Sequence, residues 1–173
     1  MTTIIRSCRP DEHAAIAAII NAAAEAYRGL IPVDCWHDPY MPLEELESEI
    51  AAGVIFSSYE ANQKLIGIMG IQHVRDVDLI RHAYVLPGHQ HLGIGGALLR
   101  HLQNLSTRRI LVGTWAAAQW AIRFYERHGF ELVSRSQKNS LLKKYWTISE
   151  QQIETSVVLA NPPLPASMRI PLN

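Results

Sequence analysis

Cysteine is scarce in this sequence. Cys8 and Cys35 are the two present in 173 residues, too few for a disulfide framework and not spaced as a C-x-x-C pair. Neither sign of charge is in excess: 16 Lys and Arg stand against 16 Asp and Glu. That removes the electrostatic case for nucleic acid or an anionic membrane as partner. No apolar run approaches the about 20 residues that a membrane span needs. The opening Met1-Thr2-Thr3-Ile4-Ile5-Arg6-Ser7 lacks the long apolar core of a secretory leader. A cytoplasmic location is therefore expected, and without a secretion signal the sequon Asn104-Leu105-Ser106 is read as chance. The eight histidines are scattered without metal-ligand spacing, so no catalytic metal is expected. No internal repeat is visible.

With 48% apolar and 18% charged residues, the chain has the composition of an ordinary globular domain and is long enough to bury a sizeable core. A short strand, Thr3 to Arg9, precedes a helix opened by Pro10-Asp11-Glu12, with proline preset for the first turn and acidic residues suited to its positive end. Ile16, Ile19, Ile20 and Ala23 mark the buried face of that helix. The run from Tyr27 to Met41 holds two prolines, a glycine and three aromatics, the composition of an ordered loop. A second helix, Leu43 to Ala52, aligns Leu43, Leu46 and Ile50 on one face and is acidic on the other. Strands Val54–Tyr59, Lys64–Val74 and Val77–Leu86, joined at Asn62-Gln63 and Arg75-Asp76, form an antiparallel meander. Gly67 and Gly70 point to a bulge or a close backbone approach in the middle strand. After a further helix come a strand at Arg109–Trp115, a helix at Ala116–His128 and a strand at Phe130–Ser134. The polar stretch that follows is read as a short helix or a long loop, and Thr155–Leu159 as the last strand. Residues 3–160 are one domain, and 161–173 a loosely held tail.

The most informative stretch lies between Tyr84 and Leu102. It reads as a strand end, a turn at Pro87-Gly88, a glycine-spaced loop, and a helix whose inward face is Ile94, Ala97, Leu98, Leu102 and Leu105. Gly93, Gly95 and Gly96 sit where the helix begins. There glycine admits a ligand close to the backbone, and the unpaired amides and helix dipole favour an anion such as a pyrophosphate. No Gly-Lys-Ser/Thr follows, which excludes a Walker loop. The dinucleotide pattern G-x-G-x-x-G with its downstream acidic residue is also absent. What remains is Gln90-x-x-Gly93-x-Gly95 after a strand ending Val85-Leu86-Pro87, which resembles the acetyl-CoA signature of the GNAT N-acetyltransferases. Ala121-Ile122-Arg123-Phe124-Tyr125-Glu126-Arg127-His128-Gly129-Phe130 is similar to that family's A-x-x-F-Y-x-x-x-G-F helix. The element order β-α-α-β-β-β-α-β-α-β-β is that family's order as well. The resemblance covers roughly residues 3–160 and implies an α+β fold, a mixed central sheet of about seven strands flanked by about four helices.

The resemblance implies an enzyme moving an acetyl group from acetyl-CoA directly to a primary amine, on a small molecule or a peptide. The pantetheine arm would lie against Tyr84, Val85 and Leu86, and the pyrophosphate on the amides of Gln90, His91, Leu92, Gly93, Ile94, Gly95 and Gly96. Tyr125 matches the family's acid, which protonates the departing thiolate; its other reading is a core aromatic. Several positions depart from the family pattern. Ala118 stands where asparagine is usual, so a side-chain contact to the cofactor is either lost or supplied by Gln119. His91 and Leu92 replace a glycine and a basic residue, and His89 replaces an aromatic. For the base that deprotonates the amine, His82 leads because an imidazole titrates near neutrality, with Asp78, His73 or ordered water as alternatives and a structural role for His82 left open. Tyr27, Trp36, Tyr145 and Trp146 are the candidate substrate walls, or else core closures. A homodimer is one option for assembly. The rival function is a CoA-binding module of the same fold that senses or interacts without turnover.

Overall fold

Asn62, Gln63 and Arg75 take positive φ values of 50°, 64° and 54°, the left-handed geometry that tight hairpin connections require. They are the joints of the meander β2 (Val54–Ala61), β3 (Lys64–Val74) and β4 (Val77–Val85). The structure is a computed structural model that describes residues 2–165. Around the meander it places β1 (Thr3–Ser7), α1 (His13–Ala24), α2 (Leu43–Ala51), α3 (Ile94–Leu105), β5 (Arg109–Trp115), α4 (Gln119–Glu126), β6 (Glu131–Leu132), α5 (Arg135–Tyr145), α6 (Glu150–Glu154) and β7 (Ser156–Asn161). Among the described residues seven strands are present, ordered β1-β2-β3-β4-β5-β7-β6. By contact the chain divides into two units. The first comprises residues up to His73 with Ile80–Thr107, and the second Val74–Leu79 with residues from Arg108 onward.

In the first unit, β1 pairs antiparallel with β2, and β2 with β3, with a register shift at Tyr59/Glu60 opposite Gly67 and Leu65. The bulge and the close approach expected of the two glycines are both present. A Cβ on Gly67 would come 2.9 Å from Ile94 Cγ2, and one on Gly70 would come 2.9 Å from the Arg81 carbonyl oxygen. Ile16, Ile19 and Ile20 of α1 join Met41, Leu46, Phe56 and Ile68 in one core cluster. The inward face of α3 is Ile94, Leu98, Leu99 and Leu102. Leu105, expected on that face, is 64% exposed: it is the helix's last residue and lies past the end of the apolar stripe. Leu43 of α2 is likewise exposed while Leu46 is fully buried.

In the second unit, β7 pairs antiparallel with both β5 and β6. Leu111, Leu142, Tyr145, Ile153, Val158 and Ala160 pack there with Val77 and Leu79. The helix expected over Ala116–His128 is shorter, Gln119–Glu126, and the strand expected over Phe130–Ser134 is only Glu131–Leu132. The polar stretch after it forms two helices, so six are present among the described residues where about four were expected. Ser134 and Gln137 supply the reason: each side chain bonds the other's backbone in a reciprocal cap, which fixes the start of α5 with few apolar residues to drive it. Asn161 of the expected tail is the end of β7. Residues 166–173 of the tail lie outside the described residues. Among the described residues no helix is long and apolar enough to cross a membrane.

Candidate functional site

The glycine-spaced loop forms a shaped amide surface. After a short turn at Pro87–His89, the chain reaches His91 at φ 63° and Gly93 at φ 80°, and Gly93 is the N-cap of α3. The first intrahelical bond at this end runs from the Ala97 amide to the Gly93 carbonyl, 3.0 Å. The amides of Ile94, Gly95 and Gly96 precede it and have no acceptor within the helix. Left-handed residues alternating with right-handed ones, or placed in turns, are the backbone setting in which successive N–H groups form anion-binding nests. A Cβ placed on Gly93 would meet nothing within 4 Å, so the space over this amide is open. At the strand end, Gln90 Nε2 donates to the Val85 carbonyl at 3.2 Å, tying the loop back to β4. Gln90, His91, Leu92 and Gly93 are exposed, and Tyr84, Val85 and Leu86 are half-buried.

Three residues earlier on the same strand, His82 is half-buried, with backbone φ of 52°. An imidazole-bearing residue in the left-handed region inside a strand costs free energy that the surroundings must offset. The approach of Gly70 to the Arg81 carbonyl accommodates the distortion. His82 Nε2 bonds Glu49 Oε2 of α2, and its ring stacks on Phe56 with centroids 6.0 Å apart at 27°. Arg81 Nη2 lies 3.3 Å from Glu49 Oε1, and Arg81 Nη1 donates to Gln72 Oε1 at 2.7 Å. Burial pushes the Glu49 carboxyl up, but the hydrogen bond from His82 and the charges of His82 and Arg81 outweigh it and hold the group below its usual range. Glu49 is the site residue that sequence reasoning missed. The acidic face of α2 was visible, yet nothing local separates Glu49 from the exposed Glu44, Glu45 and Glu47.

The ordered loop of the first unit builds an aromatic group. Tyr27 lies 6.1 Å from Tyr40 and 6.3 Å from Tyr84, centroid to centroid, and Trp36 lies 5.3 Å from Tyr40. Burial first, then the neighbouring Tyr27 and Tyr40 phenols, push the Tyr84 phenol well above its ordinary pKa, so it stays protonated. Arg28 sits 4.5 Å over the Trp36 ring while bonding Glu25 and Asp38. Trp36 Nε1 is buried with no hydrogen-bond partner among the described residues, a condition that ordinarily costs about 1–3 kcal/mol.

The second unit holds the remaining candidates. Tyr125 is 5% exposed on α4, its ring edge-on to Phe124 at 5.0 Å and to Phe130 at 5.6 Å. Gln119 begins the same helix and its amide donates to the Ala116 carbonyl at 3.0 Å, while Ala118 is the buried N-cap with no side-chain bond. The Tyr145 hydroxyl donates to Asp76 Oδ1 at 2.7 Å, and Trp146 lies 3.4 Å from where a Gly113 Cβ would be. Asp78 is buried 3.7 Å from Arg108. His73, in the first unit, is exposed.

Strand order, the α3 loop and the helix placement define an acyl-CoA N-acyltransferase fold of the GNAT class. The sequence model described as acetyltransferase (GNAT) domain matches residues 52–132, which include the meander, the loop and α4. Among solved structures, the PaiA N-acetyltransferase from Thermoplasma acidophilum in complex with coenzyme A superposes with a TM-score of 0.71 at 16% identity, covering 92% of this chain and 98% of that one. The ribosomal-protein-S18-alanine N-acetyltransferase of Escherichia coli gives 0.64 at 18% identity, covering 92% of each chain. A GNAT family acetyltransferase from Brucella melitensis in complex with acetyl-CoA gives 0.55 at 22% identity, covering 75% of this chain and 83% of that one. No curated protein sequence matches.

Proposed function

We propose that this chain is an acetyl-CoA-dependent N-acetyltransferase acting by direct transfer to a primary amine, on a small molecule or a peptide. One observation carries the reading: the amides at the start of α3, with left-handed His91 and Gly93 and open space over Gly93, suit a pyrophosphate without any side-chain cation. Two of the structural neighbours described above were solved with coenzyme A or acetyl-CoA bound, which supports acetyl-CoA as the cosubstrate here.

In the transfer, the substrate ammonium first loses a proton, and His82 is its acceptor. The freed nitrogen attacks the acetyl carbonyl carbon and the N–C bond forms; as the C–S bond breaks, the adduct nitrogen gives up its surplus proton to solvent, and the departing thiolate takes up a proton from a donor that solvent refills, leaving amide and free CoA thiol. Tyr125 holds the proton for that last step by its place in the A-x-x-F-Y helix. The aromatic group of Tyr27, Trp36, Tyr40 and Tyr84 suits an amine substrate, since ring faces attract ammonium groups.

The test has two arms. Acetyl-CoA should raise the melting temperature by mass action on the folded state, and free CoA thiol should appear when an accepted amine from a panel of small amines and peptides is added. A thermal shift without thiol release across the panel would favour the non-turnover CoA-binding module, to which the uncapped Ala118 position lends some support. The absence of any shift at millimolar acetyl-CoA would refute both.

A further inference from the structure

The environment of His82 decides which of its nitrogens can work. Glu49 accepts at Nε2, and its carboxyl is held below the usual range despite its burial, so at neutral pH it is an anion that only accepts. Nε2 therefore carries its hydrogen whether the ring is neutral or charged. Nδ1 has no hydrogen-bond partner among the described residues, and it is not among the buried side-chain atoms cut off from solvent. One further contact holds the ring and two more hold its partner. Phe56 stacks on its face. Arg81 grips the other Glu49 oxygen. Gln72 accepts from Arg81 at 2.7 Å and donates to the Ala52 carbonyl just past α2 at 3.1 Å, so the strands and the end of the helix that carries Glu49 are laced together.

We infer that Glu49 is a positioning residue that commits His82 to the Nε2-protonated tautomer and leaves Nδ1 as the nitrogen that takes the proton from the substrate ammonium ahead of its attack. This rests on the transferase reading above. The step balances simply: an N–H bond of the substrate ammonium breaks, Nδ1 gains the proton and the neutral amine is left, and the imidazolium so formed faces the Glu49 carboxylate until Nδ1 returns the proton to solvent. In this deprotonation no side chain other than His82 exchanges a proton.

The tautomer can be read without substrate. In protein labelled with nitrogen-15, long-range proton–nitrogen NMR at a pH where the ring is neutral should show His82 with Nε2 protonated and Nδ1 bare, assigned by loss of the signal in His82→Gln. Glu49→Ala should release the ring to a mixture of tautomers. With an accepted amine, the same variant should lower kcat about 10–100-fold, the usual worth of a partner that orients a working imidazole, with KM for acetyl-CoA changed less than about twofold. Glu49→Asp, which keeps the charge on a shorter arm, should restore part of kcat and part of the tautomer preference, and it serves if the alanine variant folds poorly. A wild-type ring protonated at Nδ1 overturns the inference, as does a Glu49→Ala protein whose tautomers mix while kcat stays at the wild-type value. If no amine is acetylated and acetyl-CoA gives no thermal shift, the catalytic role falls with the transferase reading. The NMR result still stands in that case, so the two failures are distinguishable.

Discussion

Replacing Gly70 by alanine tests whether the distortion at His82 is built from below. The added methyl would sit 2.9 Å from the Arg81 carbonyl oxygen, 2.9 Å from Val54 Cγ1 and 3.2 Å from Phe56 Cε1. Of these, the carbonyl belongs to the peptide that sets the left-handed φ of His82, and Phe56 is the ring on which His82 stacks. Relief needs shifts of a few tenths of an ångström in all three, and backbone gives least. Overpacking of this kind costs about 1–3 kcal/mol. The loss of glycine's freedom in the unfolded chain returns about 0.4–1 kcal/mol. The net destabilisation is about 1–2 kcal/mol, a melting temperature lower by about 2–8 °C for a chain of this size. Because the methyl pushes on the strand and ring that hold His82, turnover should fall further than stability, while the acetyl-CoA thermal shift persists. Gly88→Ala is the matched control, since nothing lies within 4 Å of its Cβ and its φ is not left-handed. Scanning calorimetry with and without acetyl-CoA, together with thiol release, reads all of this. A Gly70→Ala protein as stable and as active as wild type would refute the reasoning.

Gly93→Ala should lower the melting temperature and shrink the acetyl-CoA shift. The cause is conformational: its Cβ meets no atom, but φ of 80° costs an L-residue about 1–2 kcal/mol, and an unchanged shift would dissociate the loop from cofactor binding. Tyr125→Phe should keep the fold and the acetyl-CoA shift while lowering turnover by about 10²–10⁴-fold; unchanged turnover would make Tyr125 a packing residue beside Phe124 and Phe130. Acid should unlock the start of the chain. Hydrogen bonds from Arg6 lower the Glu12 carboxyl to about 2, so its contribution is fully present above the unfolded value of 4.5 and is lost as pH falls from there through about 2. Glu12→Gln should therefore cost about 2–3 kcal/mol at neutral pH and flatten the acid limb of the stability curve measured by urea titration.

Much of this molecule could be read locally, because its main signals are local. The positive-φ turns at Asn62-Gln63 and Arg75, the glycine spacing before α3 and the apolar stripe of α1 each lie within a few residues. The bounds of β5, Arg109–Trp115, follow from one apolar run. What could not be read depends on partners far along the chain. Glu49 and His82 are 33 positions apart, and the Tyr145 hydroxyl meets Asp76 across 69, so neither pairing leaves a trace in periodicity. The helix α5 is an intermediate case: Leu142 and Tyr145 alone supply its buried apolar positions, too few for a pattern, yet the spacing Ser134-x-x-Gln137 was a capping signal in plain view.

The left-handed conformation of His91 bears on how this loop could change under selection. A histidine there occupies backbone space that glycine enters without strain, and φ of 63° sets it apart from a merely exposed side chain. The loop thus holds its amide cradle at a small standing penalty, and exchange for glycine is the single step that removes it. In a laboratory lineage selected for tighter cofactor use, position 91 is where improvement should arise first, ahead of Leu92 or His89, whose backbones carry no such burden.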